Sequence, residues 1–310
     1  MIVTVTCNPC IDKSFMVRGL KAEAKMKAWD VRYDPGGGGI NVSRVIQRLG
    51  GETIACGFAG GHTGAALRDL LDRENVPHRL VEVKDSTRIN VTILDEEDGA
   101  QYVFSLPGAK VMAHEWKQFV EQIDRIQPKP EYLVLSGSLP PGLESDSYGE
   151  LAKRGRARGV QVLVDAAGEP LRATFEQKPL MVKPNRRELS LLASRELETV
   201  EDVLEAARQV LSLGPQSVIV SLGPDGALAA NAEGAWRAEA PAVKTVSKVG
   251  AGDSMMAALV RSLRMGKALP EALKLGVAAG TAATISPGTE LCLVRDIDRL
   301  YPKVEVKELH

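Results

Sequence analysis

Short apolar, β-branched runs alternate along most of the chain with segments whose apolar residues recur every three or four positions. The runs at 2–6, 53–58, 132–136, 161–165, 180–182 and 217–221 have the length and composition of buried strands. Helical periodicity marks 40–49, 63–74, 113–126, 200–213, 251–265 and 270–284, the first closed by the stop signal Gly50-Gly51. Strand and helix in alternation predict an α/β fold, with a mostly parallel sheet covered by helices.

Two segments, 13–34 and 87–107, break this rhythm. They contain period-two stretches such as Ile89-Asn90-Val91-Thr92-Ile93 and Gln101-Tyr102-Val103-Phe104, joined by an acidic turn ending at Gly99. Strict alternation gives one apolar and one polar face. It predicts a small antiparallel sheet beside the core, a lid whose apolar face needs a cover: a ligand, the core itself or a second subunit. No repeat, low-complexity tract or linker is visible, so one domain is expected over 1–310.

Composition narrows the function. With 44% hydrophobic and 25% charged residues, the chain is that of a compact globular protein. Thirty-nine Lys and Arg face 40 Asp and Glu, so no long-range field would hold it to nucleic acid or to an anionic membrane. The N-terminal MIVTVTCNPC reads as a strand, not as a signal peptide or a span, and points to the cytoplasm. Cys7 and Cys10 have CxxC spacing but no second pair, Cys56 and Cys292 stand apart, and His62, His78, His114 and His310 are scattered. Reduced thiols at a strand end are the simpler reading than a metal or redox centre.

The candidate chemistry gathers at glycine-rich strand-to-helix turns. Val249-Gly250-Ala251-Gly252-Asp253 precedes an apolar helix, and glycines there let backbone amides converge where the helix N-terminus is positive, forming an anion hole. Asp253 in the first turn is placed either to accept a proton from a nucleophilic hydroxyl or only to cap the helix. Gly36–Gly39 before Ile40 and Asn41 permit close ligand approach, with the Asn amide free to meet hydroxyls; the alternative is a hinge. Lys183-Pro184-Asn185 with Glu188 sits at a strand's C-terminal end, where α/β sheets bind ligands; Glu188 suits Mg²⁺ or its waters and equally suits a helix cap. Ser221-Leu222-Gly223-Pro224-Asp225-Gly226 is either a plain turn or the wall of a nucleotide pocket. Neither GxGxxG nor GxxxxGK[ST] occurs, which argues against a nicotinamide dehydrogenase and a P-loop ATPase.

In this order, together with Asn8-Pro9 and Asp12, Thr87–Asn90 and Ser136–Gly142, these segments resemble the PfkB (ribokinase-like) carbohydrate kinases over essentially the whole chain. The resemblance is strongest to the hexose-phosphate branch and its 6-phosphofructokinase type. It implies a three-layer α/β/α core with a small β-sheet lid, two lids commonly packing as a homodimer, and ATP and Mg²⁺ as cofactors. It also implies Asp253 as the base, with the amides of Gly250, Ala251 and Gly252 as the anion hole. Asp12, Gly37, Gly38 and Asn41 would hold the sugar, Lys25 and Arg88 its phosphate, and Ser138 would assist. Lys183, Asn185 and Glu188 would serve phosphates and Mg²⁺, and Ser221, Gly223 and Gly226 would line the nucleotide site. Ser247, Val249, Ala283, Ser286 and Gly288 fall at a monovalent-cation (K⁺) site, where Glu290 replaces an arginine common in the branch. The implied reaction is phosphorylation of the C1 hydroxyl of fructose 6-phosphate. Kinases of tagatose 6-phosphate or fructose 1-phosphate, and a silent sugar-phosphate-binding regulator, are the alternatives. Gly38, where relatives acting on the other sugars typically carry lysine, favours a 6-phosphate substrate.

Overall fold

The computed structural model describes residues 1–309; His310, the last of the scattered histidines, lies outside the described residues. Fourteen strands are assigned among the described residues. Ten form the main sheet: β1 (Ile2–Thr6), β4 (Thr53–Ala59), β5 (His78–Glu82), β8 (Tyr132–Ser136), β9 (Gln161–Asp165), β10 (Met181–Val182), β11 (Ser217–Ser221), β12 (Ala227–Asn231), β13 (Ala235–Glu239) and β14 (Glu305–Leu309). Their order is β14-β13-β12-β11-β10-β9-β8-β1-β4-β5. From β5 to β11 all neighbours are parallel, and the β11–β14 edge is an antiparallel meander.

The buried strands send alternate residues to opposite faces. Val3, Leu133, Val162 and Val218 enter one apolar cluster with helices α3 (Ala113–Asp124), α4 (Ser147–Ala157), α6 (Arg186–Ala193) and α7 (Val200–Ser212). Ile2, Val134, Leu163 and Ile219 enter the other with α1 (Gly38–Arg48), α8 (Ala251–Arg264), α9 (Leu269–Thr284) and α10 (Val294–Leu300). Period-two burial on both faces explains why these strands read as continuous apolar runs, and why the fold has three layers. Helix α2 (Gly61–Arg73) packs Leu67 and Leu71 against Ile11 and Ile40 in a smaller cluster under the lid. α5 (Gly168–Arg172) completes the helices.

The remaining strands, β2 (Cys10–Val17), β3 (Trp29–Gly36), β6 (Arg88–Asp95) and β7 (Gln101–Phe104), form the four-stranded lid in the order β3-β2-β6-β7. Contrary to the antiparallel sheet expected, the lid is mixed: β2 and β6 run parallel, with Cys10 beside Arg88 and Asp12 beside Asn90. The reason is topological, because both strands leave the same end of the core and their partners β3 and β7 are the hairpin returns. One lid face carries Asp12, Asp34 and Asn90, and the other Phe15, Tyr33, Ile93, Tyr102 and Phe104. Among these last, Tyr33 and Phe104 are about half exposed, at 49% and 51%.

Predicted helix ends fall within two residues of those observed. The sequence reading missed β5, the β12–β14 edge, α4, α5 and α10, whose runs are short, alanine-rich or basic and carry little periodic signal. No helix among the described residues is long and apolar enough to cross a membrane.

Candidate active site

The C-terminal ends of β1, β8, β9 and β11 bring Thr6, Ser136, Asp165 and Ser221 to one rim, and Lys183 follows β10 there. This is the crevice side of an open α/β sheet, near the point where chain order reverses beside β1. Two helices point their amino ends at it. Thr6 Oγ1 accepts the Ile40 amide at 2.7 Å and anchors the start of α1. Gly250, at φ 74°, is the residue preceding α8; a Cβ there would lie 2.2 Å from Leu291.

The four-glycine loop is close-packed and is not a hinge. A Cβ at Gly36 would stand 2.2 Å from Asp12 Oδ2, and one at Gly38 would stand 2.3 Å from Ser136 Oγ. Gly38 therefore admits a side chain only if Ser136 turns away, so its first role is packing of α1 against β8.

Asp253 lies in the first turn of α8. Its Oδ2 accepts a hydrogen bond from Asn41 Nδ2 at 2.9 Å, so the amide on α1 meets the carboxylate on α8 across 212 residues of sequence. Val42, Ile46, Met256 and Val260 belong to one buried cluster that seats these helices together. Burial pushes the Asp253 carboxyl up to about 6, with Asp165 adding to the rise and Asn41 and Lys183 opposing it. A half-buried carboxylate poised near neutrality beside a helix N-terminus suits a general base.

Lys183 Nζ contacts Asp165 Oδ1 at 3.0 Å, and an added Cβ at Gly252 would be 3.3 Å from the same nitrogen. The ammonium thus stands at the mouth of the α8 amide turn. Burial works against its charge, but Asp165, with Asp253 and Glu188, holds its pKa above the usual lysine range. Burial raises Asp165, and Lys183 offsets part of that rise.

On the lid side, Asp12 Oδ1 accepts from Asn90 Nδ2 at 3.1 Å and from the Cys10 thiol at 3.2 Å; burial raises its pKa against these bonds. Arg88 donates to Asn8 O (2.9 Å), Leu106 O (3.0 Å) and Ser105 Oγ (3.2 Å), while its Nε–H is buried without a partner. Asn8 also reaches Ser138 Oγ at 3.1 Å. Lys25 stands exposed on the connection between β2 and β3. Burial pushes Cys7 to about 12 and Cys10 up as well, which keeps both CxxC thiols protonated.

A cavity of about 490 Å³ opens beside α8. Ser221, Gly223 and Gly226 line it with Ala251 and Gly252, and Lys248, Thr281 and Thr284 are among the other residues of its wall. Its size and the amide turn at one end fit a nucleotide with its phosphates. Asn185 bridges to Ser221 at its edge. Asn185 and Glu188 form a reciprocal capping box, each bond 2.9 Å, and that box engages Glu188 Oε2. Ser247 Oγ donates to Gly288 O at 2.8 Å and accepts from Val249 N at 3.2 Å, and Ser247 N donates to Thr284 O at 3.1 Å, which brings it next to Ala283, whose carbonyl accepts Ser286 N at 3.2 Å. Ser286 Oγ is buried there without a partner, an orphan oxygen that fits a cation ligand. Glu290 takes a lid partner, Arg32, at 3.4 Å.

Three residues beside the site were given no role by the sequence reading, although Asn90 was quoted within Thr87–Asn90. Asp165 ends a correctly predicted strand, and that position alone was the available signal. Asn90 is revealed by the register of β2 on β6. Arg44 is a charge inside the buried stripe of α1.

Residues 5–296 match the pfkB family carbohydrate kinases. The chain is 41% identical over 302 residues to ATP-dependent 6-phosphofructokinase isozyme 2 of Escherichia coli (strain K12), covering 97% of each. It is 35% identical over 314 residues to 1-phosphofructokinase of Bacillus subtilis (strain 168), covering the whole of each. Phosphofructokinase-2 from Escherichia coli, solved in complex with potassium, superposes with a TM-score of 0.92 at 41% identity, covering 97% of this chain and 98% of that one. A half-buried carboxylate, an amide turn and a nucleotide-sized cavity at one sheet edge accompany an end-to-end match to such relatives: the chain belongs to the pfkB family of carbohydrate kinases.

Proposed function

We propose that the chain transfers the γ-phosphoryl group of ATP to the C1 hydroxyl of fructose 6-phosphate. The observation that carries this reading is Asp253, half-buried, held by Asn41 and facing both the lid and the amide turn of α8. Its free Oδ1 takes the proton of the acceptor hydroxyl while that oxygen forms its bond to phosphorus and the bond to the ADP oxygen breaks. No phospho-enzyme is required, since positioning and charge stabilisation suffice for phosphoryl transfer. The amides of Gly250, Ala251 and Gly252 face the charge that develops on the transferring group, and Lys183 stands beside them. Asp12, Asn41 and the Gly36–Gly39 turn contact the sugar, with Asn90 orienting Asp12.

Arg88 and Lys25 receive the 6-phosphate, and Ser138 supports Asn8 beside it. The unpartnered Nε–H of Arg88 is the donor free for that anion. Mg²⁺ would neutralise charge on the phosphates, and the second carboxylate oxygen of Glu188 is the donor open to it or its waters. K⁺ fits the carbonyl loop with the orphan Ser286 hydroxyl. The apolar outer face of the lid supports a homodimer in which two lids cover one another. Lid and core make one kinase unit over 1–310.

A fructose 1-phosphate kinase is the second reading, supported by the end-to-end likeness to a 1-phosphofructokinase. ADP formation measured with fructose 6-phosphate, tagatose 6-phosphate and fructose 1-phosphate under the same Mg·ATP separates the two. Absence of ADP formation with all three would remove the kinase reading.

A further inference from the structure

Arg44 has the largest side chain among the fully buried residues described, at 1% exposure. Its Nε and Nη2 clasp Glu74 at 2.9 and 2.6 Å, and Nη2 also approaches Asp34 Oδ1 on the lid strand β3 at 3.4 Å. Nη1 donates to Pro35 O at 2.9 Å and to Asn41 Oδ1 at 3.2 Å. Burying such a cluster gains little stability over apolar residues of equal volume, so its value lies in what it specifies.

What it specifies is the orientation of an amide. Asn41 can present either an oxygen or an NH₂ group to Asp253, and the two faces have opposite effects. An NH₂ group stabilises the carboxylate; an oxygen is compatible only with the protonated acid. A guanidinium has donors and no acceptor, so Arg44 Nη1 fixes Oδ1 on its own side and leaves Nδ2 for Asp253 Oδ2 at 2.9 Å. We propose that Arg44 is a positioning residue that locks the Asn41 amide and so keeps Asp253 ionised, with its other oxygen aimed at the acceptor hydroxyl. This rests on the reading of Asp253 as the base. The other charged groups facing Asp253 are Asp165 at the end of β9, Lys183 after β10 and Asp12 on β2, and Arg44 bonds to none of the three.

The test follows the Asp253 titration by NMR in carboxyl-labelled protein, alongside the pH profile of kcat. The proteins are the wild type, Arg44→Met, Arg44→Lys, Glu74→Gln and Asn41→Ala. Arg44→Met should raise the Asp253 midpoint by about one unit and lower kcat at neutral pH about tenfold, with KM for Mg·ATP within about twofold. Placed on Asn41→Ala, it should change neither quantity further, because no amide is left to orient. Glu74→Gln should lower the thermal midpoint and leave the titration alone, which a merely structural role for Arg44 would not separate. Should the Met variant not fold, Arg44→Lys keeps charge and volume; one ammonium cannot serve Glu74 and Asn41 together, so the same direction is expected. A folded Arg44 variant with wild-type titration and kcat, or effects that add in full to those of Asn41→Ala, overturns the proposal. If the wild type transfers no phosphoryl group to any sugar phosphate, the kinase reading fails, while the titration still decides the role of Arg44.

Discussion

Asp253→Asn separates the two readings of this residue because they predict opposite signs. As the base, Asp253 sits half-buried, and desolvation raises its carboxyl from an ordinary 3.8 to about 6. The folded state therefore binds this proton more tightly than the unfolded chain. The associated stability is fully present below the unfolded value and is lost as pH rises through the folded one. A rise of that size corresponds to about 3 kcal/mol held against the fold at neutral pH. Asparagine is nearly isosteric and can still accept from Asn41, so the substitution should recover most of this above pH 6 and nothing at pH values well below 3.8. At the same time kcat should fall by roughly two to four decades, the usual worth of a positioned base. If Asp253 merely complemented the α8 dipole, the variant would lose about 0.3–1 kcal/mol and keep its turnover. The assays are thermal unfolding of the variant against wild type across pH, calorimetric binding of ATP and sugar phosphate, and coupled ADP release. Normal binding with undiminished turnover would refute the mechanism.

Arg88→Ala should raise KM for the sugar phosphate by about 10- to 100-fold, the loss of one charge-assisted phosphate contact, and leave KM for ATP nearly unchanged. Equal damage to both substrates would assign Arg88 to bracing Asn8 and the 105–106 segment. Sedimentation should show a homodimer at micromolar concentration, and Tyr33→Glu with Phe104→Glu should shift it toward monomer; a fully active wild-type monomer would remove the lid interface. Among the three sugar phosphates, kcat/KM should rank fructose 6-phosphate first and tagatose 6-phosphate second. The margin should be modest, because inverting one hydroxyl removes one hydrogen bond worth about 0.5–1.5 kcal/mol. Preference for fructose 1-phosphate would overturn the acceptor assignment and leave the kinase class intact.

The sequence by itself determined the layers and the place of the chemistry. Buried strands read as apolar runs because both faces of a central parallel strand are covered, and helices declared themselves by period and by glycine stops. Asp253 and its glycines were legible because an amide turn at a helix start needs those residue types within a few positions. Partners distant in sequence were not legible. No local signal says that Asn41 meets Asp253, that Lys183 pairs with Asp165, or that Arg44 lies buried between Glu74 and Asn41. The same holds for the parallel pairing of β2 with β6, since alternation fixes which face a side chain takes but not which strand lies beside it. For Gly38 the sequence pointed to what is missing beside the sugar, and the packing of α1 on β8 decided that its hydrogen faces Ser136. Local pattern sets conformation and the identity of reactive groups; only the packed tertiary structure sets burial and partners, and these govern the charge state of Asp253 at neutral pH.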